Sequence, residues 1–385
     1  MLHKFSATQV FDGYNFLPQG KVVITSAEGV IIDIVNAEDA GDDVQHFEGI
    51  LSPGFINCHC HLELSHLKNV IPQHTGLVNF VQQVMQKRAA NEEEKLAAMQ
   101  LAEAEMYKSG IVAIGDICNT ADTLPIKQNS KIYWHNFIEV SGFVPATAEK
   151  RLQEILNVAQ LFTTHHSPLT ITPHAPYSVS KKLFELINNL PNNNLISIHN
   201  QETAAENELY KSKEGSFLEL YKNFGIDIAY FTPSGKTSLQ TWLPYFTNKQ
   251  NIIAVHNTFT SDEDLHFAKS YIQNRTSYIT YCLCPNTNLY IENSLPPIEL
   301  LLQHNCTIVL GTDSLASNTH LNIMEEIKTI QQHYPKIELQ TLLQWATSNG
   351  AAALQMNDKL GSFKKGMQPG FVLVDKDLKE SKKVL

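Results

Sequence analysis

Eight short apolar runs, alternating with helical stretches from about residue 50 to residue 355, constrain this chain more than any other feature. They fall at 55–61, 111–117, 132–140, 169–175, 195–200, 252–258, 277–284 and 307–313. Between them apolar residues recur at helical spacing, for example at 77–108 (one long helix or two), 149–162, 181–190 and 202–221. Strands joined through helices run parallel, because a hairpin is too short to hold the crossover. Eight such units favour a sheet closed on itself, so the expected class is α/β, a (β/α)8 barrel of the TIM type. An open, doubly wound sheet is the alternative. No Gly-rich loop follows the run at 55–61, where a nucleotide-binding sheet normally carries one. Gly110 stands where the first helical stretch should end, and Ser180 and Ser261 stand as N-caps.

The flanks obey a different rule. Runs at 6–11, 21–25 and 30–35 alternate apolar and polar residues, with Gly13, Gly20 and Gly29 between them. That pattern predicts a small antiparallel β unit. A helical pattern at 341–354 precedes one more short strand at 370–375, which is expected to join it. The expected division is therefore a β-sandwich built from 1–50 and 357–385, enclosing a barrel over 51–356.

Charge and composition narrow the partners. A net charge of −10 argues against nucleic acid or an anionic membrane as the main partner, since both need clustered Lys and Arg. No apolar run approaches the roughly 18–20 residues that span a bilayer. Lys4 is not followed by an apolar stretch and a small-residue cleavage site, so no secretory signal is expected. The six cysteines do not read as a disulfide framework, and the expected location is the cytoplasm. A small-molecule substrate is the partner that remains.

A barrel places its reactive groups at the C-terminal ends of its strands. The first run ends in Asn57-Cys58-His59-Cys60-His61. Alternation along a strand puts His59 and His61 on one face and both cysteines on the other, which makes a metal pair and disfavours a Cys–His zinc knot. The fifth run ends at His199, with Glu202 just beyond it, the sixth in Val255-His256-Asn257 and the eighth in Gly311-Thr312-Asp313-Ser314. Alone, each is an ordinary core histidine or helix-capping acid. Together His59, His61, His199 and Asp313 offer the nitrogen and carboxylate donors of a catalytic divalent site, with His256 and Glu202 left over.

That order of residues resembles the amidohydrolase superfamily over about residues 50–375. Pro53-Gly54-Phe55-Ile56-Asn57-Cys58-His59-Cys60-His61 is similar to its opening strand. Thr172-Pro173-His174-Ala175-Pro176-Tyr177-Ser178, His199-Asn200-Gln201-Glu202-Thr203, Cys284-Pro285-Asn286-Thr287-Asn288 and Gly311-Thr312-Asp313-Ser314-Leu315-Ala316-Ser317 resemble its mononuclear deaminase and chlorohydrolase branch. The resemblance implies one divalent ion, zinc first and iron second, on His59, His61, His199 and Asp313. The run at 169–175 lacks the lysine that bridges two metals in binuclear members. Cys282-Leu283-Cys284-Pro285 lacks the spacing of the cytidine-deaminase zinc site. Asn286-Thr287-Asn288 departs from the branch's usual Arg-Ser-Asn. By resemblance His256 holds the attacking water, Asp313 takes its proton, and His174 touches substrate. Glu202 is the acid–base that protonates a ring nitrogen. Glu63, the only acid between His61 and Asn91, is the candidate contact to a sugar.

The implied activity is hydrolytic deamination of an amino-substituted N-heteroaromatic, of the aminodeoxyfutalosine, S-adenosylhomocysteine or methylthioadenosine class. A chlorohydrolase or cyclic-amide hydrolase on the same barrel is the alternative, and a metal-binding barrel without catalysis a third. The family often forms dimers, so a homodimer is the assembly the resemblance suggests.

Overall fold

The computed structural model describes residues 2–163, 167–273 and 278–385. β1 (Leu2–Val10), β2 (Lys21–Ser26), β3 (Ile31–Asn36) and β4 (Gln45–Pro53) open the chain. The eight inner strands are β5 (Phe55–Cys60), β6 (Ile111–Cys118), β7 (Tyr133–Val140), β8 (Leu169–Pro173), β9 (Leu195–Asn200), β10 (Asn251–His256), β11 (Ile279–Leu283) and β12 (Thr307–Leu310). β13 (Phe371–Val374) and β14 (Ser381–Lys383) follow. All eight expected runs are strands. Ser277, the first residue of the seventh, lies outside the described residues.

The inner strands form two parallel sheets, ordered β5-β6-β7-β8 and β12-β11-β10-β9. Every residue of β5, β6 and β9 is buried, as parallel strands covered on both faces require. The two sheets touch at both edges. Thr312 N–H donates to the His59 carbonyl (3.0 Å), with a bridge from Cys60 to Asp313. On the other side His199 N–H donates to the His174 carbonyl (3.0 Å) and Ser197 N–H to Thr172 Oγ1 (2.8 Å).

Both flanks enter a single six-stranded sheet, ordered β14-β13-β4-β1-β2-β3. It is mixed rather than antiparallel throughout. β4 lies parallel to β1 because β2 and β3 intervene and carry the chain back to the start of the sheet. β4 also runs past residue 50 to Pro53, only one residue short of β5.

Helix boundaries follow local chemistry. The 77–108 stretch is two helices, Leu77–Lys87 and Glu92–Lys108, the second capped by Asn91, which accepts from Glu93 N–H. Ser180 and Ser261 are N-caps as expected, the latter in a reciprocal capping box with Asp264. The 202–221 stretch breaks into Ala204–Ser212 and Phe217–Asn223, where Lys213 turns left-handed (φ 57°). Glu202 therefore precedes the helix and is free to face inward. No described helix is long and apolar enough to cross a membrane.

One buried ion pair ties this frame to the strand ends. Lys127 Nζ lies 2.5 Å from Asp116 Oδ2 and 2.7 Å from Asn136 Oδ1, over the rings of Trp134 and Phe162. Burial alone would depress this ammonium; Asp116 outweighs it and holds the pKa above the ordinary lysine value. Asp116 Oδ1 accepts from Leu62 N–H (2.9 Å) and so holds the turn directly after His61. Lys127→Ala strands a buried carboxylate and should cost about 3–5 kcal/mol in urea unfolding. A loss below about 1 kcal/mol would mean that water compensates Asp116.

Candidate active site

The residues singled out from sequence converge at the C-terminal strand ends. His59 is on β5, His61 is the first residue beyond it, His199 is on β9 and His256 closes β10. Asp313 lies just past β12. To bring them inward the chain bends sharply: Gln201 (φ 47°), His256 (φ 72°), Asn257 (φ 59°) and Asp313 (φ 55°) are all left-handed. Each such residue costs on the order of 1–2 kcal/mol. Hydrogen bonds hold the bends, with Asn257 N–H on the Asn200 carbonyl (2.9 Å) and Asp313 N–H on the His59 carbonyl (3.1 Å). Beneath them Gly311 is obligatory. A Cβ there would stand 2.8 Å from Cys282 Sγ and 2.9 Å from His59 Cβ.

His61 Nε2 lies 3.2 Å from His59 Nε2, 3.3 Å from His199 Nε2 and 3.3 Å from Asp313 Oδ1; His59 Nε2 lies 3.6 Å from the same oxygen. Tetrahedral ligands with bonds of about 2.0–2.1 Å stand roughly 3.3–3.4 Å apart, so this set fits a divalent ion such as zinc. Tautomer and charge agree. His199 Nδ1–H donates to the His174 carbonyl (2.7 Å), which leaves its Nε2 lone pair facing the centre. Burial pushes His61 down to about 3 and holds His199 well below the usual histidine range, so both rings are neutral. Burial would raise Asp313, but the hydrogen bond with His59 and the fields of His61 and His256 outweigh it, and the carboxyl stays ionised. Neutral imidazoles and an ionised carboxylate are what metal ligation requires.

A second tier holds the first. Ser317 Oγ donates to Asp313 Oδ2 (2.7 Å), leaving Oδ1 to the histidines. Asn286-Thr287-Asn288, where the sequence departs from its resembling branch, packs behind the cluster rather than over a ligand space. Thr287 meets Ser317 (3.2 Å), and the Asn288 amide reaches His256 Nδ1 (3.2 Å). That donor leaves the proton of His256 on Nε2, which is buried with no hydrogen-bond partner among the described residues and 3.6 Å from Glu202 Oε1. Burial, with like charge from Asp313, Glu206 and Glu292, holds the Glu202 carboxyl well above the usual range.

A cavity of about 800 Å³ opens above these groups. Its inner wall carries His61, His174, His199, Glu202 and Asp313, and its outer wall Leu77, Phe80, Val84, Phe143, Tyr221 and Phe224. Glu63 is not brought to the wall. Arg88 pairs with one of its oxygens (3.2 Å), while Asn119 N–H, Thr120 N–H and Thr120 Oγ1 donate to the other. Its position as the nearest acid after His61 suggested a contact that its own hydrogen bonds preclude. Glu139, which the sequence did not single out, does line the cavity, from the end of β7. An acidic residue near the C-terminal end of a barrel strand, as in Phe137-Ile138-Glu139-Val140, is the signal that could have found it.

Fold and site define a hydrolytic enzyme: a polar cluster fit for a cation, a proton-holding carboxyl beside it, and a cavity of ligand size above. A family model described as the amidohydrolase family matches residues 50–384. The chain belongs to the amidohydrolase family and is a hydrolase of C–N bonds other than peptide bonds. It is 28% identical over 382 residues to a 5′-deoxyadenosine deaminase of Methanococcus maripaludis, covering 92% of this chain and 83% of that one. In structure it is similar to Helicobacter pylori aminofutalosine deaminase in complex with methylthio-coformycin (TM-score 0.79, 22% identity, 97% of this chain and 92% of that chain). It is also similar to an adenosine deaminase of Xanthomonas campestris with bound zinc (TM-score 0.73, 22% identity, 97% and 84%).

Glu206 supplies a test of the site's electrostatics. It accepts from Gln201 N–H (2.9 Å), and burial raises its pKa from 4.5 to about 7. The folded state therefore binds a proton that the unfolded chain releases. This contribution is complete below the unfolded pKa and is lost as pH rises through the folded one. Melting temperature should fall from about pH 5 to about pH 8, and Glu206→Gln should flatten that fall. An unchanged slope in the variant would show that Glu206 titrates normally.

Proposed function

We propose that this enzyme hydrolytically deaminates an adenosine-type nucleoside, of the 5′-deoxyadenosine, methylthioadenosine, S-adenosylhomocysteine or aminodeoxyfutalosine class. The observation that carries the reading is Glu202, buried at the cavity's inner wall beside the His59–His61–His199–Asp313 cluster. Those four residues would hold one divalent ion, with zinc favoured by the mixed nitrogen and carboxylate donors and iron second. A bound ion there would supply activated water, by lowering its pKa towards neutrality.

The chain's own groups do the rest. An amino-substituted aromatic ring is a poor electrophile until a ring nitrogen is protonated. Glu202 delivers that proton as water oxygen bonds to the neighbouring amino-bearing carbon. His256 Nε2–H holds the water, and Asp313 takes its proton. The C–N bond then breaks, the amino group leaves as ammonia with the proton that Asp313 took, the new hydroxyl gives its proton back to Glu202, and a ring carbonyl remains. A cyclic amide already has a polarised carbonyl and needs no such acid, and this disfavours the amide-cleaving alternative. The curated relative named a deaminase also favours deamination over chloride release.

The same reading extends to the frame. The edge contacts at Cys60–Asp313 and Thr172–Ser197 support one closed (β/α)8 barrel over 51–356, with 1–50 and 357–385 supplying the smaller β domain. Five buried free thiols suit a reducing compartment and support a cytoplasmic location.

Three measurements test this function. Purified enzyme should release ammonia from 5′-deoxyadenosine or methylthioadenosine, with the absorbance shift of an inosine-type product, and act more slowly on free adenine. Chloride release from a triazine without any nucleoside deamination would overturn the assignment. Metal analysis should find one divalent ion per chain; two would remove the mononuclear site. Glu202→Gln should lower kcat by about 10²–10⁴-fold at unchanged metal content, and near-normal turnover would end its role as the acid.

A further inference from the structure

Glu139 has no part in the chemistry above, yet it is a buried carboxyl on the wall of the reaction cavity. Its Oε1 accepts from Asn119 Nδ2 (2.8 Å), and its Oε2 is buried with no hydrogen-bond partner among the described residues. His199 Nδ1–H, 3.8 Å away, is already given to the His174 carbonyl. Lys127, a buried cation in the short helix between β6 and β7, is taken by Asp116. A buried carboxyl oxygen left unpaired costs free energy that a structure normally avoids. Here it also faces a space built for a ligand. The geometry points to Glu139 as the specificity-determining residue that accepts hydrogen bonds from the vicinal hydroxyls of the substrate's sugar. The inference rests on the nucleoside reading and names the group that reads the sugar.

Position decides which substrate group is meant. Glu139 Oε2 stands across the His199 ring from the ligand centre, with a ring nitrogen of His174 within 4.8 Å. With the amino-bearing carbon at the centre, the sugar of a nucleoside is held off by the width of the base, within the cavity whose wall Glu139 shares. The far end of a 5′ substituent reaches instead towards Phe80 and Phe224 on the outer wall. A carboxyl group also suits a diol, since it offers lone pairs to two O–H donors at once. Glu63 then has an indirect role. It anchors Asn119 through the backbone N–H, and the Asn119 side chain in turn orients Glu139.

The test compares kcat/KM for adenosine and for 2′,3′-dideoxyadenosine in the native enzyme, Glu139→Gln and Asn119→Ala. The native enzyme should prefer adenosine by about 10²-fold or more, because a site built around a hydroxyl discriminates strongly against its absence. Glu139→Gln should shrink that preference by at least about 10-fold, and Asn119→Ala should shrink it by less. Metal content should stay at the native level in both. Equal losses on both substrates with the preference intact would make Glu139 a positioning residue of His199 and overturn the proposal. A native preference near one would overturn it too, while leaving nucleoside deamination standing. Turnover of free bases alone would remove the nucleoside reading itself.

Discussion

Three imidazole nitrogens and one carboxylate oxygen, packed within 3.6 Å of their neighbours, are the constraint on which the rest of this molecule depends. Lone pairs aimed at a common point repel one another, and burial removes the water that would screen them. Such an arrangement persists only where the surroundings leave it no alternative. Parallel strands supply most of that rigidity, by placing His59 and His199 on wholly buried ladders. Left-handed backbone at Gln201, His256 and Asp313 supplies the remainder, at a cost the core must offset. A cation at the centre would turn the repulsion into ligation, so stability and function are linked through the same four side chains.

The polar layer behind the cluster works by allocation. Each donor or acceptor has one task, which leaves one atom free for the centre. Ser317 occupies Asp313 Oδ2, the His174 carbonyl occupies His199 Nδ1, and Asn288 occupies His256 Nδ1. None of these partners needs to touch a ligand to govern how it is met.

The legible part of this architecture is the part that repeats. Apolar runs such as 195–200 and 252–258 mark strands because burial on both faces demands unbroken apolar sequence, and histidines at their ends then stand out. β4 carries no such run, since its first half is exposed and polar and its second half blends into β5. β14 is a three-residue strand of Ser381, Lys382 and Lys383, recognisable only by its pairing with β13. Glu63 and Glu139 show the deeper limit. The nearest acid in sequence is used up by Arg88, Asn119 and Thr120, while Glu139, on β7, keeps an oxygen without a partner among the described residues. Sequence proximity cannot reveal which carboxyl a folded chain has already satisfied.

The six-stranded sheet sets an order on the chain's own birth. β1, β2, β3 and β4 can pair as they leave the ribosome, since their partners are neighbours in sequence. The other edge of β4 is different, because Ile50, Leu51, Ser52 and Pro53 pair with Val374, Leu373, Val372 and Phe371. That edge stays open until all eight inner strands have been made. Meanwhile it presents apolar side chains and unpaired backbone groups, the usual template for sticking to another nascent chain. A product cut short before Phe371 would keep this edge open permanently. For such a fragment aggregation and proteolytic clearance are the expected fate, even with every residue of the ligand cluster present.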